Sequence, residues 1–539
     1  MTSFSIPNTH SPGTPICHPN DACKPPVQAL TAAPRTSNYD YVELHAASAF
    51  SFLDGASQPE LLIERAAQLE MPAIALTDRN GLYGAARFHM VAKRCNIKAH
   101  IGAEITVSSF GNKLQPPEWL PHQHPREPSR ITLLCASRAG YQNLCQLITR
   151  FKMRESTKAE GAATLEDLEE FSAGLICLTG GDEGPLAAAL AREGHGSVRK
   201  LADRLSCIFG RGNLFIELQR HQLREEECRN QTLLDLASKS HLPVIATNGV
   251  RYAIEKDREI TDVFTSIRHH TTLDQAGRLL TANSARHLRQ ACEMAALFRD
   301  LPEAIANTRI VSDRLEFKLN DLGYEFPHYP VPENETMDSF LEKRVDEGVR
   351  KRYGSPDKRH LLDKARAQVR HELALITKLG FAGYFLIVWD IIRYCQQNGF
   401  LVQGRGSAAN SAVCYALEIT AVDPVGMELL FERFLSENRG EWPDIDLDLP
   451  SGDQREQVIQ HLYERYGSLG AAMTANVISY RGRSAAREVG KALGFDEEQL
   501  ARLSGSGQWR LVRLQMERHV IHSHINRSRG CRGRTLQQR

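Results

Sequence analysis

The sequence predicts a multidomain protein of mixed α/β and α+β class, a β/α barrel or layer followed by a region built round one acidic strand. Three observations carry this. The chain has 539 residues, enough for roughly three or four domains. After residue 39, short aliphatic or β-branched runs alternate with helical stretches, the pattern of a sheet covered by helices. Beyond residue 324 that alternation gives way to helices, a glycine loop and a strand in which acidic and aliphatic residues take turns.

Taken in order, residues 1–38 hold seven prolines among many Ser, Thr and Asn, without periodicity, and are expected to form a disordered leader. Strands are predicted at 73–77, 101–107, 131–136, 175–179, 214–218 and 244–247. Several end on a polar residue, as at Asp78 and Glu104. Barrel chemistry sits at the C-terminal ends of strands, although plain strand termination gives the same signal. These elements define a first domain over 39–323. The proline-rich run Glu325-Phe326-Pro327-His328-Tyr329-Pro330-Val331-Pro332 is an extended linker that helices do not cross, and it sets a boundary at 324.

Residues 336–398 read as helical, with apolar spacing of three and four over 366–379 and Gly380 as a C-cap. A strand is predicted at 400–402, a glycine loop at 404–411, a helix at 412–417 and the acidic strand at 443–449. Helices follow at 458–466 and 484–493. These assignments place a second domain at 324–475 and a third, partial one at 476–504. From 505 to 539 no periodicity remains.

Composition narrows the function classes. Hydrophobic residues are 42% and charged residues 24%, the range of globular proteins, and the net charge of +1 gives no whole-protein field toward nucleic acid or membrane. The balance is uneven, however: Gln508 to Arg539 carries eight arginines and one glutamate. Twelve cysteines with no CxxC spacing favour reduced thiols over disulfides or structural zinc. No apolar run approaches a membrane span and no signal sequence opens the chain, so the expectation is a cytoplasmic protein with no membrane partner.

The strongest chemical signal is Pro443-Asp444-Ile445-Asp446-Leu447-Asp448-Leu449. Period-two alternation puts the three carboxylates on one face, where they repel one another unless water, basic groups or a cation intervenes. Hard oxygen donors select Mg²⁺, and paired carboxylates with substrate phosphates are the equipment of two-metal phosphoryl transfer. A solvated edge strand is the plainer alternative. Close by, Gly404-Arg405-Gly406-Ser407-Ala408-Ala409-Asn410-Ser411 opens a helix, which offers backbone N–H groups to an anion, with Arg405 and Ser407 adding charge and a hydroxyl. It lacks the Gly-Lys-Ser/Thr ending of an ATPase loop, and a glycine turn of no function competes with it. Arg433 is a further candidate phosphate ligand, or a surface ion-pair partner of Glu432 or Glu437. Arg481, Arg483, Arg487 and Lys491 fit sugar-phosphate contacts, or a solvated basic face.

With these residues assembled, the sequence resembles the bacterial C-family DNA polymerases, the family of the DNA polymerase III alpha subunit. The likeness runs from about Tyr41 to about Leu503 and rests on Gly383-Tyr384-Phe385-Leu386-Ile387-Val388, the 404–411 loop, 431–435 and 443–448. It implies a polymerase-and-histidinol-phosphatase (PHP) barrel over 39–323, a palm with helical insert over 324–475 and part of a helical thumb over 476–504. Residues 505–539 find no counterpart and are read as an unstructured or out-of-frame basic tail. The resemblance makes Asp444 and Asp446 the carboxylates that hold catalytic Mg²⁺, and Gly406 and Ser407 contacts of the incoming triphosphate. Asp448 receives no ligand role.

At PHP ligand positions stand His45, Asp78 and Glu104, but the others read Ala47, Arg79, Arg130, Gly181, Gly249 and Arg251. Arginines among three residual ligands repel a metal cluster, so no PHP metal and no phosphoesterase or proofreading activity is expected. This eroded site and the Ala-Ala-Asn-Ser loop look like the error-prone, damage-inducible branch. That branch implies a nucleotidyltransferase of DNA repair, translesion synthesis and damage-induced mutagenesis. Its implied partners are primer-template DNA, deoxynucleoside triphosphates, a sliding clamp and accessory mutagenesis proteins, one resembling an inactive Y-family polymerase. The family's third palm aspartate and its fingers come later than this chain runs, so the expectation is an N-terminal fragment. Two other readings stand beside it: a non-catalytic DNA-binding or partner-binding protein, and a PHP metal-dependent phosphoesterase.

Overall fold

A computed structural model describes residues 41–108, 128–154, 161–322, 327–436, 443–474 and 476–505. The predicted leader and most of the basic tail lie outside the described residues. The chain forms two compact units, 1–321 together with 481–539, and 322–480.

In the first unit six strands form one sheet in chain order: β1 (Ala73–Arg79), β2 (Lys98–Val107), β3 (Ser129–Cys135), β4 (Leu175–Leu178), β5 (Leu214–Leu218) and β6 (Val244–Ala246). All six predicted strands are present, with ends moved by a few residues. β1 and β2 are parallel, as are β4, β5 and β6, while β3 runs antiparallel to both its neighbours. The sheet curls round on itself through the segment after Tyr41: Ala75 and Thr77 N–H groups donate to Glu43 and Ala46, and Val250 exchanges bonds with His45 and Ala47. Val42, Leu44, Ala75, Leu134, Ile176, Leu178, Phe215 and Ile245 meet Val311 and Leu315 in one buried cluster. Each such large side chain contributes roughly 1.5–3 kcal/mol by leaving water.

The predicted 484–493 helix spans Gly482–Ala492 and groups with this first unit, whereas the sequence reading joins 476–504 into a single thumb. Its Ala486 and Gly490 are buried, and a Cβ at Gly490 would meet Leu500 at 2.5 Å, so glycine lets the helix Glu497–Gly505 approach closely.

The second unit packs helices Met337–Tyr353, Leu362–Lys378, Ala382–Gln397 and Ala412–Ala416 round Val345, Ile376, Phe385, Leu386, Val413, Phe431 and Phe434. Gly380 takes φ +72° just after its helix, as a C-cap glycine should. The predicted strand at 400–402 is corrected: the strand is β7, Gln403–Arg405, paired antiparallel with β8, Asp446–Asp448. The Phe400 N–H closes the preceding helix onto Cys395, and the Gly404 N–H is fixed on Ile419 O at 2.6 Å, so the ladder begins three residues later. A helix over Asp453–Gly470 contains the predicted 458–466. Among the described residues no single helix is long and apolar enough to cross a membrane.

Candidate functional site

The β7–β8 ladder builds the first candidate site. It pairs Gln403 with Asp448, Gly404 with Leu447 and Arg405 with Asp446. Glycine at 404 is required by close approach, because a Cβ would sit 2.7 Å from Ile419 O. Directly after β7 the chain turns at Gly406, φ +74°, where a Cβ would face Asp446 Oδ2 at 3.9 Å. The loop that follows, Gly406–Asn410, is a 3-10 turn, closed by Asn410 Nδ2 donating to Ser407 O at 2.9 Å.

Exposure alternates along the acidic strand as the sequence pattern requires: Asp444, Asp446 and Asp448 are exposed, while Ile445 and Leu447 pack on the helical core. Ile445 N–H donates to Tyr384 Oη at 3.0 Å, so a tyrosine in the helix Ala382–Gln397 holds the strand from behind. Burial pushes the Tyr384 hydroxyl up to about 12, with the fields of Asp444 and Asp446 adding to it. Asp448 pairs with Arg405 Nε at 3.2 Å, an exposed bridge of roughly 0–1 kcal/mol. Among the described residues no cation pairs with Asp444 or Asp446. Two exposed, neighbouring carboxylates without a counter-charge suit a hard divalent cation. No three His, Cys, Asp or Glu side chains converge as metal donors among the described residues, so a cation here would complete its shell with water or ligand oxygens.

The helix after the loop is not the anion cradle that the sequence suggests. In Ala412–Ala416 the Ala412 and Val413 N–H groups donate to Glu372 at 2.9 and 3.0 Å, and Cys414 N–H donates to Ser411 Oγ at 3.1 Å. Those donors are consumed internally, and Gly406, Ser407 and Arg405 remain as the loop's outward groups. Arg433 lies on the turn Phe431–Arg433, which packs against the Gly406–Asn410 turn and is anchored by buried Phe431 and Phe434. Arg481, Arg483, Arg487 and Lys491 are exposed and belong to the other unit. Arg483, Arg487 and Lys491 recur every four residues and form an exposed stripe along this helix. Lys491 is tied to Glu488 at 2.8 Å.

The second candidate site lies inside the curled sheet of the first unit, where His45 and Glu104 are in contact while Asp78 bonds to other partners. His45 Nε2 is 3.1 Å from Glu104 and Nδ1 is 2.7 Å from Glu217. Arg130 reaches Asp54 at 2.9 Å, Glu183 at 2.8 Å and Glu104 at 3.4 Å, and Arg251 reaches Glu183 at 2.9 Å and Glu104 at 3.2 Å. Burial disfavours the charged form of His45, but Glu217 and Glu104 outweigh it and push its pKa up to about 10. For Glu104 burial works upward, yet Arg251 and Arg130 hold it well below the carboxylate range. Asp78 instead accepts from Ser48 N–H at 2.7 Å and from the Ser48 and Ser51 hydroxyls at 2.9 Å. Burial lifts its pKa to about 6 against those bonds.

Sequence reasoning missed Asp54, Glu183, Glu217 and Gln219. Glu217 on β5 carried the one readable signal, a carboxylate inside an aliphatic strand. Gly181 and Gly249 face Gln219, whose side chain would lie 2.4 and 2.7 Å from a Cβ at these positions. The amide of Gln219, donating to Glu217 at 2.8 Å, occupies the room that side chains at 181 and 249 would need.

Residues 339–531 match the family model described as the bacterial DNA polymerase III alpha NTPase domain, and residues 43–221 match the PHP domain. The first match runs into the basic stretch that the sequence reading sets outside the family. The chain is 41% identical over 490 residues to an error-prone DNA polymerase of Mycolicibacterium paratuberculosis, covering 90% of this chain and 43% of that protein. Error-prone DNA polymerases of Nocardia farcinica and Alkalilimnicola ehrlichii are each 39% identical, over 87% of this chain and 44% and 42% of their own lengths. The chain thus spans less than half of the relatives it matches.

Proposed function

Because this chain belongs to the C-family of bacterial DNA polymerases, in its error-prone branch, we propose that the β7–β8 site is the nucleotidyl-transfer centre of a DNA-directed DNA polymerase. The observation that carries this is the ladder that sets Arg405 and Gly406, at the start of the loop, beside the exposed carboxylate of Asp446.

Asp444 and Asp446 would hold Mg²⁺. When bound, the ions supply positive charge to the primer 3′-hydroxyl and to the leaving pyrophosphate. The chain's own residues orient the reactants. Gly406 and Ser407, with Arg405 and Arg433, receive the phosphates of a deoxynucleoside triphosphate, and the fixed turn holds its α-phosphate within reach of the primer. Arg405 shares its charge with Asp448, so phosphate binding exchanges one anion for another. Tyr384 keeps the carboxylates in register through Ile445.

The rest of the proposal extends to the whole polymerase: lesion bypass and damage-induced mutagenesis in the cytoplasm, with primer-template DNA, a sliding clamp and accessory mutagenesis proteins as partners. The stripe Arg483, Arg487 and Lys491, with Arg481, would contact DNA phosphates. Arg130 and Arg251, paired with the carboxylates a metal would need, support a PHP barrel that works without metal. The same stripe also favours a second reading, a chain that holds DNA without catalysis.

The test is Mn²⁺ binding by electron paramagnetic resonance and primer extension with Mg²⁺, on the folded chain and on an Asp444→Ala/Asp446→Ala variant. Metal binding and incorporation confined to the parent support the proposal. A folded parent that binds DNA but neither metal nor nucleotide leaves the binding reading instead.

A further inference from the structure

Glu372 is fully buried in the helix Leu362–Lys378, on the face that also buries Ala365, Val369 and Ile376. A carboxylate on an apolar stripe is costly unless donors surround it. Here four do: Ser411 Oγ–H at 2.7 Å, Ala412 N–H at 2.9 Å, Val413 N–H at 3.0 Å and Gln368 Nε2–H at 3.0 Å. All four suit the ionised acid, which accepts and does not donate. Three of them belong to the residues that leave the Gly406–Asn410 turn.

We propose that Glu372 is a positioning residue of the phosphate loop, an internal anion that fixes the loop's exit and so the aim of Gly406 and Ser407 at a nucleoside triphosphate. The inference rests on the triphosphate reading above. Two features carry it beyond ordinary capping. Ser411 already caps the short helix through Cys414 N–H, so the helix needs no buried charge from 39 residues away. By taking the Ala412 and Val413 amides, Glu372 also excludes an incoming phosphate from the helix start and confines it to the turn beside Asp446. The entry of the loop is pinned independently by Gly404 on Ile419, and Ser411 N–H bonds back to Ala408 O at 3.1 Å. Both ends of the turn are thus held by hydrogen bonds.

The test compares the parent with Glu372→Gln, and with Ser411→Ala, which removes one of the four donors together with the cap on Cys414 N–H. Folding is checked by circular dichroism and thermal melting. Three quantities are read: amide hydrogen exchange over 404–414, equilibrium binding of Mg²⁺–dATP, and Mn²⁺ binding. Glu372→Gln should exchange faster over 406–413 and bind Mg²⁺–dATP about tenfold more weakly, from the loss of charge-assisted bonds, with Mn²⁺ affinity within about twofold of the parent. Ser411→Ala should move the same way by less. Unchanged exchange, equal Mg²⁺–dATP binding in parent and variant, or loss of Mn²⁺ binding together with a collapsed melting transition overturns the positioning role alone. A folded parent that binds Mn²⁺ but no Mg²⁺–dATP overturns the triphosphate reading, and the role of Glu372 with it.

Discussion

Arg251 Nη2 lies 3.2 Å from Glu104 Oε1, two residues 147 positions apart joined in the interior of the barrel. In the resemblance that Glu104 position binds metal. Here a guanidinium supplies the positive charge, permanently and from the chain itself, with Arg130 as its companion.

Removing one partner of such a network leaves a buried charge without compensation. Arg251→Ala should destabilise the first unit by about 3–5 kcal/mol. Chemical denaturation followed by circular dichroism measures the loss. A change under about 1 kcal/mol would show that Arg130 and His45 neutralise Glu104 unaided. Divalent metal should not restore the variant's stability, because Arg130 still occupies Glu104 and Asp54.

The histidine sets a pH dependence. His45 is raised from about 6.5 to about 10 in the folded barrel, so its protonated form is bound more tightly by the native state. The resulting stability is fully present below about pH 6.5 and is lost as pH rises through 10. Glu43, lifted to about 7 mainly by burial, and Asp78, lifted to about 6, disfavour the native state as pH climbs past their unfolded values. All three slopes have one sign. The slopes of the two acids are spent by about pH 7, so the fall in melting temperature between pH 7 and 10 belongs to His45, and His45→Gln should fall less steeply across that interval. Equal slopes in parent and variant would remove His45 from the account.

At the proposed nucleotidyl-transfer site the glycines differ in kind. Gly404→Ala drives a Cβ into the carbonyl of Ile419, which is backbone and cannot swing aside, so β7 must move. A cost of about 1–3 kcal/mol is expected, as for overpacking, together with weaker nucleotide binding. Gly406→Ala meets only Asp446 Oδ2, at an ordinary contact distance of 3.9 Å, but keeps a positive φ, and should cost about 1–2 kcal/mol from backbone strain. Thermal melting of the two variants separates the cases.

Tyr384→Phe deletes the acceptor of the Ile445 N–H. The expected loss is about 1 kcal/mol of stability. Because Ile445 sits between Asp444 and Asp446, Mn²⁺ affinity should fall as well, by several-fold. Asp448→Ala is the contrasting case: its partner Arg405 is exposed, and stability should change by under about 1 kcal/mol. Isothermal titration with Mn²⁺ on the two proteins decides whether Tyr384 acts on the carboxylates or only on the fold.

Much of the fold was legible in local pattern. The six barrel strands are short aliphatic runs bounded by turns, and Asp444 to Leu447 alternate in exposure as their chemistry alternates. What local pattern could not supply was partnership. The 400–402 segment has strand composition, but its pairing is decided by Gly404 meeting Ile419 across the fold. The helix at 412 has the sequence of an open anion site, and only the packing of a distant helix reveals that Glu372 has filled it. Its clue was present all the same, a lone acid on an apolar face at spacings of three and four. In the barrel, Arg130 and Arg251 stood out by type, whereas Asp54, Glu183 and Glu217 are ordinary acids until the sheet curls and brings them within reach.

The seam of the barrel has a consequence for how the protein is made. Glu43 to Ala47 bond to β1 on one side and to Val250 on the other, so the ring cannot shut during synthesis until residue 250 has left the ribosome. Arg251 arrives at the same moment as the closing strand, and until then Glu104 lacks one of its two guanidiniums. Closure of the seam and the arrival of Arg251 at Glu104 thus depend on the same stretch of chain.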